Sequence, residues 1–205
     1  MSKFVDRLLK RLRPRKPLTQ RPSVLKNGFI VPPCHVEIIA TDHCNTSCRS
    51  CNHGSPMLAR YTVEPESVHR DCSILAKVYR PPMIKVLGGE PLLHKRLAEV
   101  IQAARSTGIC DYFYLITNGL LLDKMGDDVW DAIEELEVSC YPGLAKTEEN
   151  LKLARAKAKE HGVKLTVSVF ENFRHTMTTA GTQDQELVAD IYRTCKIAHV
   201  WGCHG

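Results

Sequence analysis

The sequence predicts an α/β fold, a partial (βα)6 TIM-like barrel of parallel strands whose last helix is missing. Two patterns carry that expectation. Six apolar, β-rich runs that scarcely alternate in polarity recur from residue 36 onward: VEIIA at 36, IKVL at 84, YFYLI at 112, LEVSC at 136, LTVSVF at 165 and IAHVW at 197. Runs of this kind suit parallel strands buried on both faces. The segments between them repeat apolar residues at helical spacing, which gives each strand a helix to carry the chain back across the sheet.

Taken in order, Val68, Cys72, Leu75 and Val78 form the first such face, Leu97, Val100, Ile101 and Ala104 the second, and Met125, Val129, Ala132 and Ile133 the third. Thr147 followed by Glu148 and Glu149 makes a helix N-terminus before LKLARAKAKEH, and Gly108 and Gly162 stand where helix C-caps belong. The series amounts to five and a half βα units over residues 36–205, preceded by a basic, Pro-rich tail over residues 1–35.

Composition narrows the function classes. The chain has 205 residues, 43% of them hydrophobic and 25% charged, which is globular and excludes wholesale disorder. No run reaches the roughly 18 apolar residues that a membrane helix needs, and the N-terminus has no apolar core for a signal peptide, so a cytoplasmic location is expected. Residues 1–21 hold eight Lys and Arg against one Asp, a net of +7 that leaves −2 of the chain's +5 for the remainder. Phe4, Val5, Leu8, Leu9 and Leu12 fall on one face of a short helix that Pro14 and Pro17 end, a pattern able to touch an anionic membrane surface. The near-neutral body makes nucleic acid an unlikely partner. Nine cysteines without a secretory signal point to metal or redox chemistry rather than a disulfide framework.

In a βα series the loops at the C-terminal strand ends carry the chemistry, and every unusual polar cluster lies there. TDHCNTSCRSCNHGSP follows the first strand and sets Cys44, Cys48 and Cys51 in CxxxCxxC spacing. Gly88, Gly89 and Glu90 follow the second, Thr117, Asn118 and Gly119 the third, and Ser139 to Tyr141 end the fourth. Three thiolates within eight residues can share one metal centre. An iron–sulfur cluster held by three protein ligands keeps one iron open, while a zinc site completed by His43, His53 or Cys34 is the alternative that spacing leaves standing. Paired glycines before an acid permit close backbone approach and supply a carboxylate for an ammonium group.

The order of these motifs on successive strands resembles the radical S-adenosylmethionine (radical SAM) superfamily over roughly residues 36 to 202. The resemblance implies a [4Fe-4S] cluster on Cys44, Cys48 and Cys51, with SAM on its open iron. It implies that Gly88, Gly89 and Glu90 hold the methionine ammonium, that Thr117, Asn118 and Gly119 are their counterpart on the third strand, and that Ser139 meets the SAM carboxylate or ribose. Reductive SAM cleavage to a 5′-deoxyadenosyl radical would follow, with a one-electron reductant such as flavodoxin or ferredoxin and a small-molecule or peptide substrate. Two departures stand out. Ser50 replaces the aromatic residue usual before the third cysteine, and KLTVSVFEN lacks the usual glycines, leaving Val167 and Val169 for apolar contact with adenine. No acid, base or radical relay can be assigned; Tyr141, Glu171, His175 and His199 are wall residues by position.

Two non-enzymatic classes remain alongside: a zinc-stabilised interaction module, and a binding protein acting through its basic tail. Cys72 and Cys110 read as small buried hydrophobes. Cys195, Cys203 and His204 cluster at the C-terminus, where the resemblance implies the start of an auxiliary-cluster region cut short, and hence a truncated or partner-dependent form.

Overall fold

The computed structural model describes residues 23–141, 147–171, 181–194 and 202–203. The amphipathic segment of the basic tail, Pro142, Asn172, His175, Cys195, Ile197 to His199, Trp201 and His204 lie outside the described residues. An antiparallel hairpin of β1 (Val24–Lys26) and β2 (Phe29–Val31) opens the description. Its turn is Asn27-Gly28, both at positive φ, as a tight two-residue hairpin turn requires. Residues 24–31 therefore depart from the tail expected over 1–35. The hairpin docks through Ile30, which exchanges backbone hydrogen bonds with Val78 and Arg80, while the Arg80 guanidinium lies 4.1 Å from the Phe29 ring centroid.

The βα series follows as β3 (Val36–Thr41), α1 (Pro65–Leu75), β4 (Ile84–Gly88), α2 (Leu97–Arg105), β5 (Phe113–Thr117), α3 (Asp127–Asp131), β6 (Glu135–Cys140), α4 (Thr147–His161), β7 (Lys164–Val169), α5 (Gln185–Thr194) and β8 (Gly202–Cys203). One six-stranded sheet runs β7-β6-β5-β4-β3-β8, with every neighbouring pair parallel. The sixth described strand is Gly202–Cys203, just past the expected run at 197–201, which lies outside the described residues; it lies beside the first strand of the series, with Val36 opposite Gly202. Val78 also departs from expectation: α1 ends at Leu75, and Val78 is exposed because its backbone turns away to pair with the hairpin.

Strand parity divides the sheet into two unlike faces. Val36, Ala40, Ile84, Val86, Phe113, Leu115, Leu136 and Val138 form the core with Val68 and Cys72 of α1, Val100 and Ile101 of α2, Trp130 of α3 and Ala154 of α4. Helical spacing singled out Val68, Cys72, Val100 and Ile101 among these, but not Trp130 or Ala154. The opposite face is polar. Across β5, β6 and β7 the same arrangement occurs twice, one step of two residues apart. Tyr112 and Thr166 donate to Glu135, each at 2.8 Å, and Tyr114 and Ser168 donate to Glu137. Lys85 of β4 adds its ammonium 4.9 Å from the Tyr114 ring centroid.

The ends of β3 and β4 are stitched together at close range. The Gly89 amide donates to the Thr41 carbonyl at 2.7 Å and the Glu90 amide to the His43 carbonyl at 3.0 Å. A Cβ on Gly88 would stand 2.2 Å from the Thr41 oxygen, and one on Gly89 2.1 Å from the His43 oxygen. The glycines are thus demanded by the chain's own backbone, apart from any ligand.

Two outcomes follow. Gly89→Ala should cost about 1–3 kcal/mol through overpacking, seen as a lower midpoint in thermal unfolding; an unchanged midpoint would contradict the close approach. Bonded to the Glu135 carboxylate, the Tyr112 hydroxyl is pushed up to about 12. Since the folded value lies above the unfolded one of about 10, this bond's contribution is intact below that pH and fades as pH rises through the folded value. Ultraviolet difference titration of the protein against Tyr112→Phe should show this late ionisation, and Glu135→Gln should return it toward the ordinary phenol range.

Candidate functional site

The C-terminal strand ends and the polar sheet face together line a cavity of about 690 Å³. Cys44, Cys48 and Cys51 reach it from the loop after β3, Gly88 and Gly89 from β4, Thr117 and Asn118 from β5, and Ser139 and Tyr141 from β6. The cysteine loop is closed at its base, where Asp42 donates to the Tyr61 carbonyl at 3.1 Å and Val63 to the Ala40 carbonyl at 3.1 Å. Within it, the Cys51 amide donates to the Cys48 carbonyl at 3.2 Å, and Ser50 takes a left-handed φ of 67°. The Thr46 hydroxyl stands 3.1 Å from the Cys44 sulfur and 3.5 Å from that of Cys48, which holds two of the three thiols about one polar group. All three are free thiols.

Three free thiols on one loop fit a cluster that keeps one iron open. Among the described residues, no three His, Cys, Asp or Glu side chains converge closely enough to hold one metal ion. Of the residues that would complete a zinc site instead, His43 and Cys34 do not line the cavity, while His53 does. Four ligands on one zinc must crowd a single centre at about 2.0–2.3 Å, whereas three thiolates on a cluster bind separate irons and stand further apart.

Glu90 departs from the expected role of facing an ammonium group. It is 1% exposed and does not line the cavity. Its oxygens accept from the Leu92 amide at 3.0 Å, the Thr117 hydroxyl at 2.7 Å and the Asn118 amide at 2.9 Å. Burial pushes its carboxyl up, and these three donors pull in the other direction. The carboxylate is therefore a clamp between loops, and the two glycines before it are what this element shows to the cavity. Clamped in this way, Asn118 turns its amide to Asn45 Oδ1 at 2.7 Å and to the Cys44 sulfur at 3.7 Å. Gly119, whose carbonyl accepts from buried Asn150 at 2.7 Å, secures the loop from behind rather than lining the cavity.

Two buried polar atoms have no hydrogen-bond partner here: His53 Nε2, whose residue lines the cavity, and the Ser55 hydroxyl, which lies behind the cavity lining, 2.7 Å from where a Gly89 Cβ would stand. Across the cavity, Tyr141 and Phe170 pair their rings with centroids 5.7 Å apart. Burial pushes the Tyr141 hydroxyl up, and the charges of the three nearby cysteines add to this against a hydrogen bond with Ser139. Val167 and Val169 do not reach the cavity; they have the opposite parity on β7, and Phe170 lines it instead. Sequence inspection missed this aromatic pair, although counting by twos from Thr166 leads to Phe170. Glu171 is exposed, and the other wall residues by position, His175 and His199, lie outside the described residues.

No protein-family model matches the chain. A probable GTP 3′,8-cyclase of Methanothermobacter marburgensis is 28% identical over 105 residues, 51% of this chain and 34% of that protein. The GTP 3′,8-cyclase of Chlorobaculum tepidum is 30% identical over 98 residues, 48% of this chain and 29% of that one. A probable GTP 3′,8-cyclase of Methanocaldococcus jannaschii is 33% identical over 101 residues, 47% of this chain and 32% of that one. The match thus spans about a third of each curated relative's length. Among solved structures, BtrN in complex with AdoMet and 2-DOIA superposes with a TM-score of 0.50 at 18% identity, covering 66% of this chain and 56% of that one. That likeness is one of fold. These similar proteins are radical SAM enzymes, and the chain shares their partial-barrel fold and, over about half its length, a distant sequence similarity to them.

Proposed function

We propose that the chain is the SAM-cleaving core of a radical SAM enzyme. The observation that carries this reading is the meeting, in one cavity, of three free thiols in CxxxCxxC spacing with the paired glycines, Asn118 and Ser139. Cys44, Cys48 and Cys51 would hold the cluster. Gly88 and Gly89 suit the amino-acid end of SAM, and Ser139 suits its carboxylate or ribose. The Tyr141–Phe170 pair offers the aromatic surface that Ser50 does not, since a base stacks on such a ring regardless of where the ring comes from. A [4Fe-4S] cluster held there would supply the one-electron reduction of SAM on which hydrogen-atom abstraction from a substrate would depend. The protein's own part is to bind, orient and exclude water.

The cavity wall also contains Glu37, Lys85 and Glu137 beside Leu87, Ile116 and Phe170, which offers a substrate both polar partners and apolar contact. A small molecule or a peptide side chain would fit that description. A one-electron reductant such as flavodoxin or ferredoxin completes the scheme, in a reducing compartment such as the cytoplasm where thiols stay free.

Anaerobic reconstitution should give a brown protein with about four irons and four sulfides per principal site, which forms 5′-deoxyadenosine from SAM with dithionite. A colourless protein holding one zinc would refute the reading. Cys44→Ala, Cys48→Ala and Cys51→Ala should each lose the cluster; full iron retention in all three would remove them as ligands. Glu90→Ala should lower the thermal midpoint by leaving buried donors unpaired, at about 1–3 kcal/mol for each, and should weaken SAM binding about ten- to hundredfold by releasing the Thr117–Asn118 loop. Calorimetry showing unchanged SAM affinity alongside an unchanged midpoint would count against the clamp.

A further inference from the structure

A second cluster of reactive groups stands at the other end of β3. The Cys34 sulfur lies 3.0 Å from His35 Nδ1, and His35 Nε2 lies 3.0 Å from Glu37 Oε1. The imidazole is buried, the carboxylate is largely so, and the thiol keeps partial access to solvent. His35 and Glu37 also form part of the cavity wall. Because a carboxylate only accepts, Nε2 carries the ring proton and Nδ1 turns its lone pair to the thiol. Nucleophile, base and the group that orients the base are thereby placed in a row. Cys34 itself does not line the cavity that Cys44, Cys48 and Cys51 share, which sets it apart from those three thiols.

We propose that Cys34 is an activated thiol, deprotonated by His35 under the orientation of Glu37, and that it reacts with low-molecular-weight disulfides to form a mixed disulfide. The balance is simple. The Cys34 proton passes to His35 Nδ1, the thiolate attacks one sulfur of the disulfide, a new S–S bond forms, and the other half leaves as a thiolate that recovers the proton. Cys34 is oxidised and the small disulfide is reduced. Cys72 and Cys110 provide the contrast within the same chain, since burial pushes both thiols up, Cys72 to about 11. Across the sheet, Lys85 is the register partner of Glu37, and it is the further cation that β4 brings to this face. This inference is independent of the proposed SAM chemistry.

The test uses the full chain, kept anaerobic at neutral pH and treated with iodoacetamide, with labelling at Cys34 followed by peptide mass spectrometry. Cys34 should label about tenfold faster in the native chain than in the urea-unfolded chain at the same pH, an order that exposure alone reverses. A native rate equal to or below the unfolded rate would overturn the proposal without any variant. In His35→Gln and Glu37→Gln the native rate should fall about tenfold; native rates unchanged in both would remove the base and its orienting group. With oxidised glutathione, the mixed disulfide should form first at Cys34, and its formation only at other cysteines would equally refute the assignment.

Discussion

The buried carboxylate of Glu90 is the constraint on which the candidate site depends. Taking a carboxylate out of water costs several kcal/mol unless donors replace the lost hydration, and here three are supplied from two different loops. Satisfying Glu90 therefore fixes where β5 ends relative to β4. The backbone bonds of Gly89 and Glu90 fix where the cysteine loop begins relative to both. Asn118 closes the circuit by reaching Asn45 and Cys44. Loops at strand ends have no ladder of their own to position them, and this carboxylate serves in its place.

The second determinant is the asymmetry of the sheet. A barrel interior is ordinarily filled by layers of branched apolar side chains. Here the face away from the helices holds Glu135 and Glu137, each bonded to a tyrosine on one side and a hydroxyl on the other. Such groups resist collapse because packing them together would strand their charges, so the space stays open to polar occupants. Stability then rests on the opposite face, where Phe113, Leu115, Leu136 and Trp130 meet the helices. Division of labour between the faces lets the site remain a cavity without emptying the core.

Much of this was legible in the sequence, for identifiable reasons. Uninterrupted apolar runs located five of the strands, and helical spacing located the faces of α1, α2 and α3, because both signals are local and periodic. The cysteine spacing marked the loop that lines the cavity. What escaped was long-range or depended on parity. The partners of Glu90 lie as far as 28 residues away, so its inward turn left no trace in the motif that contains it. Phe170 lines the cavity where Val167 and Val169 were expected, because side chains alternate between the faces of β7. The Asn27-Gly28 turn was a readable hairpin signal obscured by the basic stretch before it. The return of β8 to the edge of β3 depends on pairing between chain segments more than 160 residues apart, which no local pattern encodes.

One strand carries two different kinds of thiol, and their surroundings explain the difference. At the C-terminal end of β3, Cys44 and Cys48 face a hydroxyl and an amide, neutral groups that neither take their protons nor compete for a metal. Such thiols are left available as ligands, and they ionise when a metal binds. At the N-terminal end, Cys34 faces an imidazole whose far side is already bonded to a carboxylate. That thiol has somewhere to send its proton without a metal, and a thiolate formed in this way is a nucleophile in its own right. The sulfur is the same at both ends, and it is the neighbouring group, a hydroxyl and an amide at one end and an imidazole at the other, that distinguishes the two kinds of thiol.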